Sequence, residues 1–423
     1  MKSGLRFLIA AKRCEIDELD QLGHTSELVV AVGCLVHALQ RERGLSNLWL
    51  TSGGERLAVR LERQVAESRE FEAQVRAQFD QLETQMHRTG ARLFSRVAWV
   101  LSGLDALPSL RQRIGTPQLQ ATQATAAFTK LIAGLLAVVF EAADGAADPE
   151  VSKLLVAMFN FMQGKEFAGQ ERAFGAAALA LEGDVEERRQ HWQHLIESQE
   201  RCFEVFAEFS DAALLEIWRA SQGGSGLAEL ERLRRVGPAP AGRAFDPLLS
   251  QAWFDCCTRR IDAMKTVEEH LATELRERCG RKAAQARREL QRHQHLLATW
   301  APQADDLAAS PSAAVFFDDT QGEMASTAYG RQLERAVLDM MQVQSRRLQI
   351  VSAELETVRA SLNERKLVER AKGLLMAHRR LSEEEAHKML RQTAMNQGRR
   401  LVEVAESLLS MADYLSISAP PVP

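Results

Sequence analysis

Glu364-Arg-Lys-Leu-Val-Glu-Arg-Ala-Lys-Gly-Leu-Leu-Met376 is a strongly basic stretch built almost entirely of helix-forming residues. Two further helical segments follow closely, one from Leu381 and one from Arg399. Gly373 costs about 1 kcal/mol in a helix interior compared with alanine, so we interpret it as a point of close helix packing. A small helical unit with one positive face suits a polyanion such as RNA.

The rest of the chain is also helical in character. Of its 423 residues 46% are hydrophobic and 6% aromatic, and long stretches consist of Ala, Leu, Glu, Gln and Arg. Strand-like alternation of β-branched residues is almost absent, which predicts an all-α protein with two or three domains. The net charge of −4 excludes a globally basic coat, so any site for a polyanion must be local.

We predict four regions along the chain. Residues 1–300 form a helical-bundle domain, 301–330 a linker, 331–362 a coiled-coil helix and 363–415 a C-terminal three-helix bundle. The coiled-coil prediction rests on alternating steps of four and three residues, at Val337, Met341, Gln344, Leu348, Val351, Leu355, Val358 and Leu362. This seam either joins a second subunit, giving a homodimer, or folds against the N-terminal domain. A single amphipathic helix is the alternative.

A faint internal repeat runs through the N-terminal domain. Glu42-Arg43-Gly44 follows one apolar helix, and Glu171-Arg172-Ala173 follows another. Arg111 comes 68 residues after Arg43, and Arg234 comes 62 residues after Arg172. A duplicated four-helix bundle would give this pattern, and chance similarity between Ala/Leu/Arg-rich helices is the alternative.

Several function classes find no support in the sequence. The six cysteines have no paired metal spacing, and His191-x-x-His194 lacks a third ligand, so we expect no metal and no cofactor. Without a phosphate-binding loop, a nucleophile elbow or another catalytic constellation, we expect no enzyme. With no secretory leader and no run of about 18 apolar residues, we expect a cytoplasmic protein without a membrane span.

The C-terminal unit resembles the ANTAR domain, an RNA-binding module of bacterial transcription antiterminators. The residues that carry the resemblance are Glu-Arg-Ala-Lys-Gly-x-Leu-Met at 369–376, Glu-Glu-Ala at 384–386 and the Ala-Met step at 394–395. The resemblance implies binding to leader-mRNA stem-loops, with basic side chains on phosphates and polar side chains on exposed loop bases. Our first choices for contact are Arg365, Lys366, Arg370 and Lys372, followed by Gln392, Asn396, Arg399 and Arg400. A bundle that docks a protein partner is the alternative, which would make the chain a helical signalling scaffold.

The N-terminal domain resembles the nitrate- and nitrite-sensing NIT domain through Gln40-Arg-Glu-Arg-Gly-Leu-Ser46 and Gly169-Gln-Glu-Arg-Ala173. The two resemblances together are typical of nitrate-responsive antiterminators. They imply a regulator that holds a leader RNA in one hairpin and so prevents a terminator from forming upstream of nitrate assimilation genes. Coupling to RNA polymerase would then run through the nascent transcript.

The chemistry of nitrate agrees with this resemblance. A guanidinium is planar and permanently charged, and its donors form a fixed fork that suits a planar oxyanion. The arginines echoed between the halves, Arg43, Arg172 and either Arg234 or Arg235, are our candidates to coordinate the ion. The resemblance implies this role for Arg43 and for Arg234 or Arg235, and Ser46 could donate its hydroxyl. The alternative is that Glu42–Arg43 and Glu171–Arg172 are ion pairs that hold the bundle together.

Overall fold

The chain is all-α, as the sequence predicts. The computed structural model describes residues 2–52, 55–84, 90–116, 118–146, 148–178, 185–223, 225–236, 247–304, 328–379, 381 and 383–417. These residues contain twelve helices and no strand. The helices are α1 (Lys2–Ser52), α2 (Glu55–Thr84), α3 (Ala91–Gly115), α4 (Ala121–Asp144), α5 (Pro149–Ala178), α6 (Val185–Phe209), α7 (Ala212–Gln222), α8 (Ser225–Val236), α9 (Pro247–Ala304), α10 (Ala328–Arg379), α11 (Glu383–Gln397) and α12 (Leu401–Ile417).

The first nine helices form two similar bundles, which supports the predicted repeat. Helix α1 packs against α2 and α4, and α5 packs in the same way against α6 and α9. The fourth position of the first bundle is filled by α3, and that of the second by the two short helices α7 and α8. The bundles share a continuous apolar core because α1 also packs on α9 and α4 on α5.

The apolar helices α1 and α4 belong to this core. By length and composition alone, Ile9–Thr51 and Ala121–Asp144 could each cross a membrane, and 56% of each apolar window is buried inside the fold. A core helix of a soluble protein passes the same test. The stretch that the sequence analysis treats as a buried helix, Leu131–Phe140, does supply core residues such as Ile132, Leu135 and Val139.

Helix α10 connects the two ends of the molecule without a break at residues 362–363. Its middle part packs on the N-terminal domain, where Val358 is buried against Val156 of α5. Leu355 is buried one turn earlier. The lower half of the predicted seam therefore folds against the N-terminal domain. Most of the predicted linker, residues 305–327, lies outside the described residues.

The end of α10 forms a small bundle with α11 and α12. Its core consists of Ala371, Leu375, Ala386, Leu390, Ala394, Val404, Ala405 and Leu409. Gly398 has a φ of 61°, a left-handed conformation that reverses the chain between α11 and α12. The interpretation of Gly373 is wrong, because a Cβ there would meet nothing within 4 Å.

Candidate functional site

Arg43 lies in the centre of the N-terminal domain and is buried. Its guanidinium donates to both oxygens of Glu166 on α5, from Nη1 to Oε1 at 2.5 Å and from Nη2 to Oε2 at 3.1 Å. Nη1 also donates to Thr129 Oγ1 on α4 at 2.8 Å. The close approach requires Gly169, where a Cβ would lie 2.6 Å from Nη2. Arg43 is thus a buried, fully charge-paired residue that joins three helices.

Arg172 is the counterpart of Arg43 in the second half of the repeat, and it too is buried. Nη1 donates to Thr258 Oγ1 at 3.0 Å, and Nη2 donates to the Gln40 carbonyl at 2.9 Å. The same sequence separation of 86 residues joins Arg43 to Thr129 and Arg172 to Thr258. The guanidinium carbon also lies 4.9 Å from the Phe254 ring centroid.

Arg172 differs from Arg43 in its electrostatics. Among the described residues, no carboxylate forms an ion pair with it, whereas Arg43 has Glu166. Burial, together with the positive charge of Arg43, lowers the pKa of Arg172 to about 10. The carboxylates of Asp262 and Glu166 act on Arg172 in the opposite direction, but neither forms an ion pair with it in the described parts of the chain. The guanidinium is still charged near neutral pH, so it is a buried positive charge without an ion-paired carboxylate.

The alternative to a ligand role, that Glu42–Arg43 and Glu171–Arg172 are ion pairs that hold the bundle together, applies to three of these four residues. Arg43, Glu42 and Glu171 each pair with a residue of another helix, whereas no ion pair is found for Arg172 among the described residues. Glu42 accepts from Arg111, at 2.8 Å from Nε and 3.0 Å from Nη2. Glu171 accepts in the same way from Arg234, at 2.8 Å and 2.7 Å. The repeat that the sequence suggests at Arg111 and Arg234 therefore recurs as matched bidentate contacts.

The structure separates Arg234 from Arg235. Arg234 is mostly buried and holds Glu171, whereas Arg235 is exposed. Desolvation acts to lower the pKa of Arg234, but the hydrogen bonds and the charge of Glu171 outweigh it, so the pKa is raised. Arg234 keeps its charge and fixes the carboxylate next to Arg172.

Three donors around this centre lack a hydrogen-bond partner within the described parts of the chain. They are Ser46 Oγ, Arg43 Nε and Arg172 Nε, and each is buried. A buried donor without a partner costs about 1–3 kcal/mol. Gly44 allows Arg172 to approach α1 closely, because a Cβ there would be 2.8 Å from Nη2 of Arg172. These N–H and O–H groups suit an acceptor with several oxygens.

The predicted RNA-contacting residues fall into three groups. The side chains of Arg365 and Lys366 lie outside the described residues, and Lys372 is buried. Exposed positions are taken by Arg370, Gln392, Asn396, Arg399 and Arg400. Some of these pair locally: Arg400 Nη2 donates to both carboxylate oxygens of Glu364 at 3.0 and 3.1 Å, and Arg399 Nε lies 3.3 Å from Glu403 Oε2.

The C-terminal bundle is docked on the sensor, which sequence reasoning missed. Arg391 of α11 pairs with Glu197 of α6 at 2.6 Å, and Lys388 donates to Gln190 at 2.9 Å. The rings of His387 and His194 lie 5.1 Å apart between these contacts. No spacing in the sequence indicates this pairing, because the partners lie almost 200 residues apart.

No group of three or more metal-ligating side chains is found in the described ranges. His194 contacts His387 instead, and His191 lies with its ring centroid 4.4 Å from that of Phe174. These two histidines therefore have packing roles in the arrangement seen here.

Comparison with known proteins agrees with this architecture. A family described as nitrate and nitrite sensing (NIT) matches residues 34–276, and the ANTAR domain matches residues 356–409. The chain is 33% identical over 405 residues to the nitrate regulatory protein of Klebsiella oxytoca, covering 95% of this chain and 93% of that protein. The solved structure of the NasR transcription antiterminator superposes with a TM-score of 0.59 at 29% identity, covering 97% of this chain and 99% of the other. The chain therefore belongs to the nitrate- and nitrite-sensing NIT family, with an ANTAR domain at its C-terminal end.

Proposed function

We propose that this nitrate-responsive antitermination regulator binds one nitrate or nitrite ion at the buried centre around Arg172 and Arg43. The observation that carries the proposal is a charge imbalance. Among the buried groups, Arg43 and Arg172 supply two positive charges and Glu166 one negative charge, which leaves one buried positive charge in excess. The exposed Asp262 acts on Arg172 without forming an ion pair. A monovalent anion would cancel that excess, and a buried charge is stable only when it is paired.

The hydrogen-bonding groups support the same ligand. The unpartnered donors Ser46 Oγ, Arg43 Nε and Arg172 Nε are suited to the oxygens of a small oxyanion. In this proposal Arg172 supplies the charge, and Arg43 and Ser46 supply further donors. Arg234 acts as a positioning residue through Glu171, and the exposed Arg235 takes no part.

We propose that the bound ion changes the docking of the C-terminal bundle. Glu171 is adjacent to Arg172 and accepts from two α6 side chains, Trp192 at 3.0 Å and Gln199 at 2.7 Å. The same helix carries Glu197, which holds Arg391 of the bundle. A shift at Arg172 can therefore reach the docking surface through direct contacts. To move this equilibrium almost completely, the ion must favour the released form by about 5 kcal/mol.

Release would add Lys372 to an RNA-binding surface whose other described members are already exposed. Lys372 is buried in the docked arrangement, so it needs release before it can contact phosphate. With Arg365, Lys366 and Arg370 it would bind the backbone of a leader-mRNA stem-loop, while Gln392, Asn396, Arg399 and Arg400 lie further along. Because phosphate contacts dominate such binding, affinity should fall steeply with salt.

Binding of a leader RNA by the released bundle would act on transcription. Holding one hairpin would prevent a terminator from forming upstream of nitrate assimilation genes, and coupling to RNA polymerase would run through the nascent transcript. Nascent transcripts place the protein in the cytoplasm, and we propose no enzymatic activity. We also propose a homodimer that pairs through the upper part of the predicted seam, where the exposed Val343 and Ile350 add apolar surface beside the seam positions.

The test is filter binding of a leader-RNA hairpin with and without nitrate. We expect nitrate to increase binding by the wild type and to have no effect on Arg172→Gln. Arg235→Gln, which removes an exposed arginine, is the matched control and should respond like the wild type. Nitrate-independent binding by all three proteins would contradict the switch. Equal binding of a protein partner by Arg370→Ala, without RNA binding by the wild type, would favour the scaffold alternative.

A further inference from the structure

We propose that an open cavity beside Arg43 is the route by which the anion reaches the buried centre, an inference that rests on the proposed function. The cavity has a volume of about 720 Å³ and lies between α1, α3, α4, α5 and α6. Its walls include Asn47, Trp99, Thr125, Thr129 and Gln170. A nitrate ion is far smaller than this space, so the cavity is not shaped to hold the ion itself.

The inner wall of the cavity contacts the central ion pair directly. Thr129 lines the cavity, and its Oγ1 accepts the hydrogen bond from Arg43. Gln170 also lines it and donates from Nε2 to Oε1 of Glu166 at 3.0 Å. One layer of side chains therefore separates the open space from the charged centre, and both members of that layer are half-buried.

The outer part of the cavity is positively charged. Arg96 and Lys130 both line it and both are exposed. The carboxylate that pairs with Arg96, Glu141, is 3.9 Å away, so the cation is only loosely held. A cleft lined by one sign of charge raises the local concentration of a counter-ion and accelerates its association.

The second half of the repeat is closed at the matching place. Thr258 in the second half corresponds to Thr129 in the first, because each lies 86 residues from the arginine that it contacts. By the same offset, Phe254 in the second half corresponds to Thr125 in the first. The Phe254 ring packs against Arg172, and the neighbouring Trp253 is so close to Gly175 that a Cβ there would lie 2.4 Å from the indole. An aromatic ring therefore packs against Arg172, whereas at the matching place Thr125 and Thr129 line open space beside Arg43.

The experiment introduces the phenylalanine of the second half at the matching position of the first half. Thr125→Phe, measured in the full-length protein, should slow both association and dissociation of nitrate about tenfold. It should change Kd less than about twofold, because an obstruction on the route slows entry and exit equally. Rates come from stopped-flow tryptophan fluorescence, for which Trp99 is a reporter in the cavity wall, and Kd comes from calorimetry. Ser95→Phe, at an exposed position on α3 outside the cavity wall, is the control for added bulk.

A second variant keeps the test independent of packing. Arg96→Gln should lower the association rate by at least about twofold at low salt, whereas Arg92→Gln, an exposed arginine of the same helix outside the cavity wall, should not. Unchanged rates in both Thr125→Phe and Arg96→Gln would overturn the route. So would a rise in Kd with unchanged dissociation, since that result makes the cavity the binding site. Absence of nitrate binding in the wild type would instead overturn the proposed function.

Discussion

The two halves of the sensor share a scaffold but differ in charge. In the first half Arg43 reaches across to Glu166 of α5. By the register of the repeat, the position that matches Glu166 is His37 of α1, which lies within electrostatic range of Arg172. Burial and the neighbouring cations, Lys165 first among them, lower the pKa of His37 to about 2, so the imidazole is neutral. One arginine has a carboxylate and the other has an uncharged ring.

This difference indicates how a duplicated bundle can acquire a ligand site. The contacts that fix the scaffold are kept in both halves, namely the Glu42–Arg111 and Glu171–Arg234 pairs and the two arginine–threonine hydrogen bonds. The arginine–carboxylate contact, which decides the charge balance, occurs in only one half, between Arg43 and Glu166. Two fully paired halves would have no electrostatic reason to admit an anion.

The largest expected effect comes from making the first half resemble the second. Glu166→Gln removes the carboxylate of a buried pair and leaves Arg43 uncompensated, so the free energy of unfolding should fall by about 3–5 kcal/mol. Nitrate should restore part of this loss, because the anion then faces two unpaired guanidiniums. Denaturant unfolding with and without nitrate measures both effects.

Glu67→Gln is the control for that experiment. Glu67 pairs with Arg41 at 3.2 Å, and both side chains are about two-fifths exposed, at 38% and 43%. An exposed pair is worth about 1 kcal/mol or less. A loss in Glu166→Gln no larger than in this control would contradict the buried-pair description.

A smaller effect is expected where the C-terminal bundle contacts α6 of the second half. Glu197→Lys turns the contact with Arg391 into a repulsion, on the sensor side and away from any RNA. Because the partners are partly exposed, the change in docking should be about 1 kcal/mol, or roughly a fivefold gain in nitrate-free RNA binding. Glu200→Lys, an exposed position on the same helix, should leave that binding unchanged in the same filter assay.

A pH dependence is expected at the same contact. The pKa of His387 is lowered to about 4. Burial is the largest cause, followed by the electrostatic effects of His194, Arg201, Lys372 and Arg391. Since the released bundle would bind the proton near the ordinary value of 6.5, docking is fully stable above that pH and weakens as pH falls toward 4. Nitrate-free RNA binding should therefore rise more in the wild type than in His387→Gln on acidification. Equal responses would remove His387 as the cause.

The sequence predicts the local features of the structure but not the contacts between residues that are distant along the chain. Helical periodicity predicts the all-α fold, and the Glu-Arg echo places Arg43 and Arg172 in matching positions. Their partners Glu166, Thr129 and Thr258 lie 86 to 123 residues away along the chain, so spacing within a helix cannot indicate them. The docking of α11 on α6 is missed for the same reason, and so is the burial of Lys372 on a helix that looks uniformly basic.

The most direct measurement is a calorimetric titration of nitrate into the wild type and into His37→Glu. This substitution supplies the second half with the carboxylate it lacks and makes the halves electrostatically alike. We expect one site in the wild type and a loss of affinity of at least about 100-fold in His37→Glu, which corresponds to about 3 kcal/mol. Undiminished nitrate binding by a folded His37→Glu protein would contradict the claim that the unpaired charge of Arg172 holds the ion.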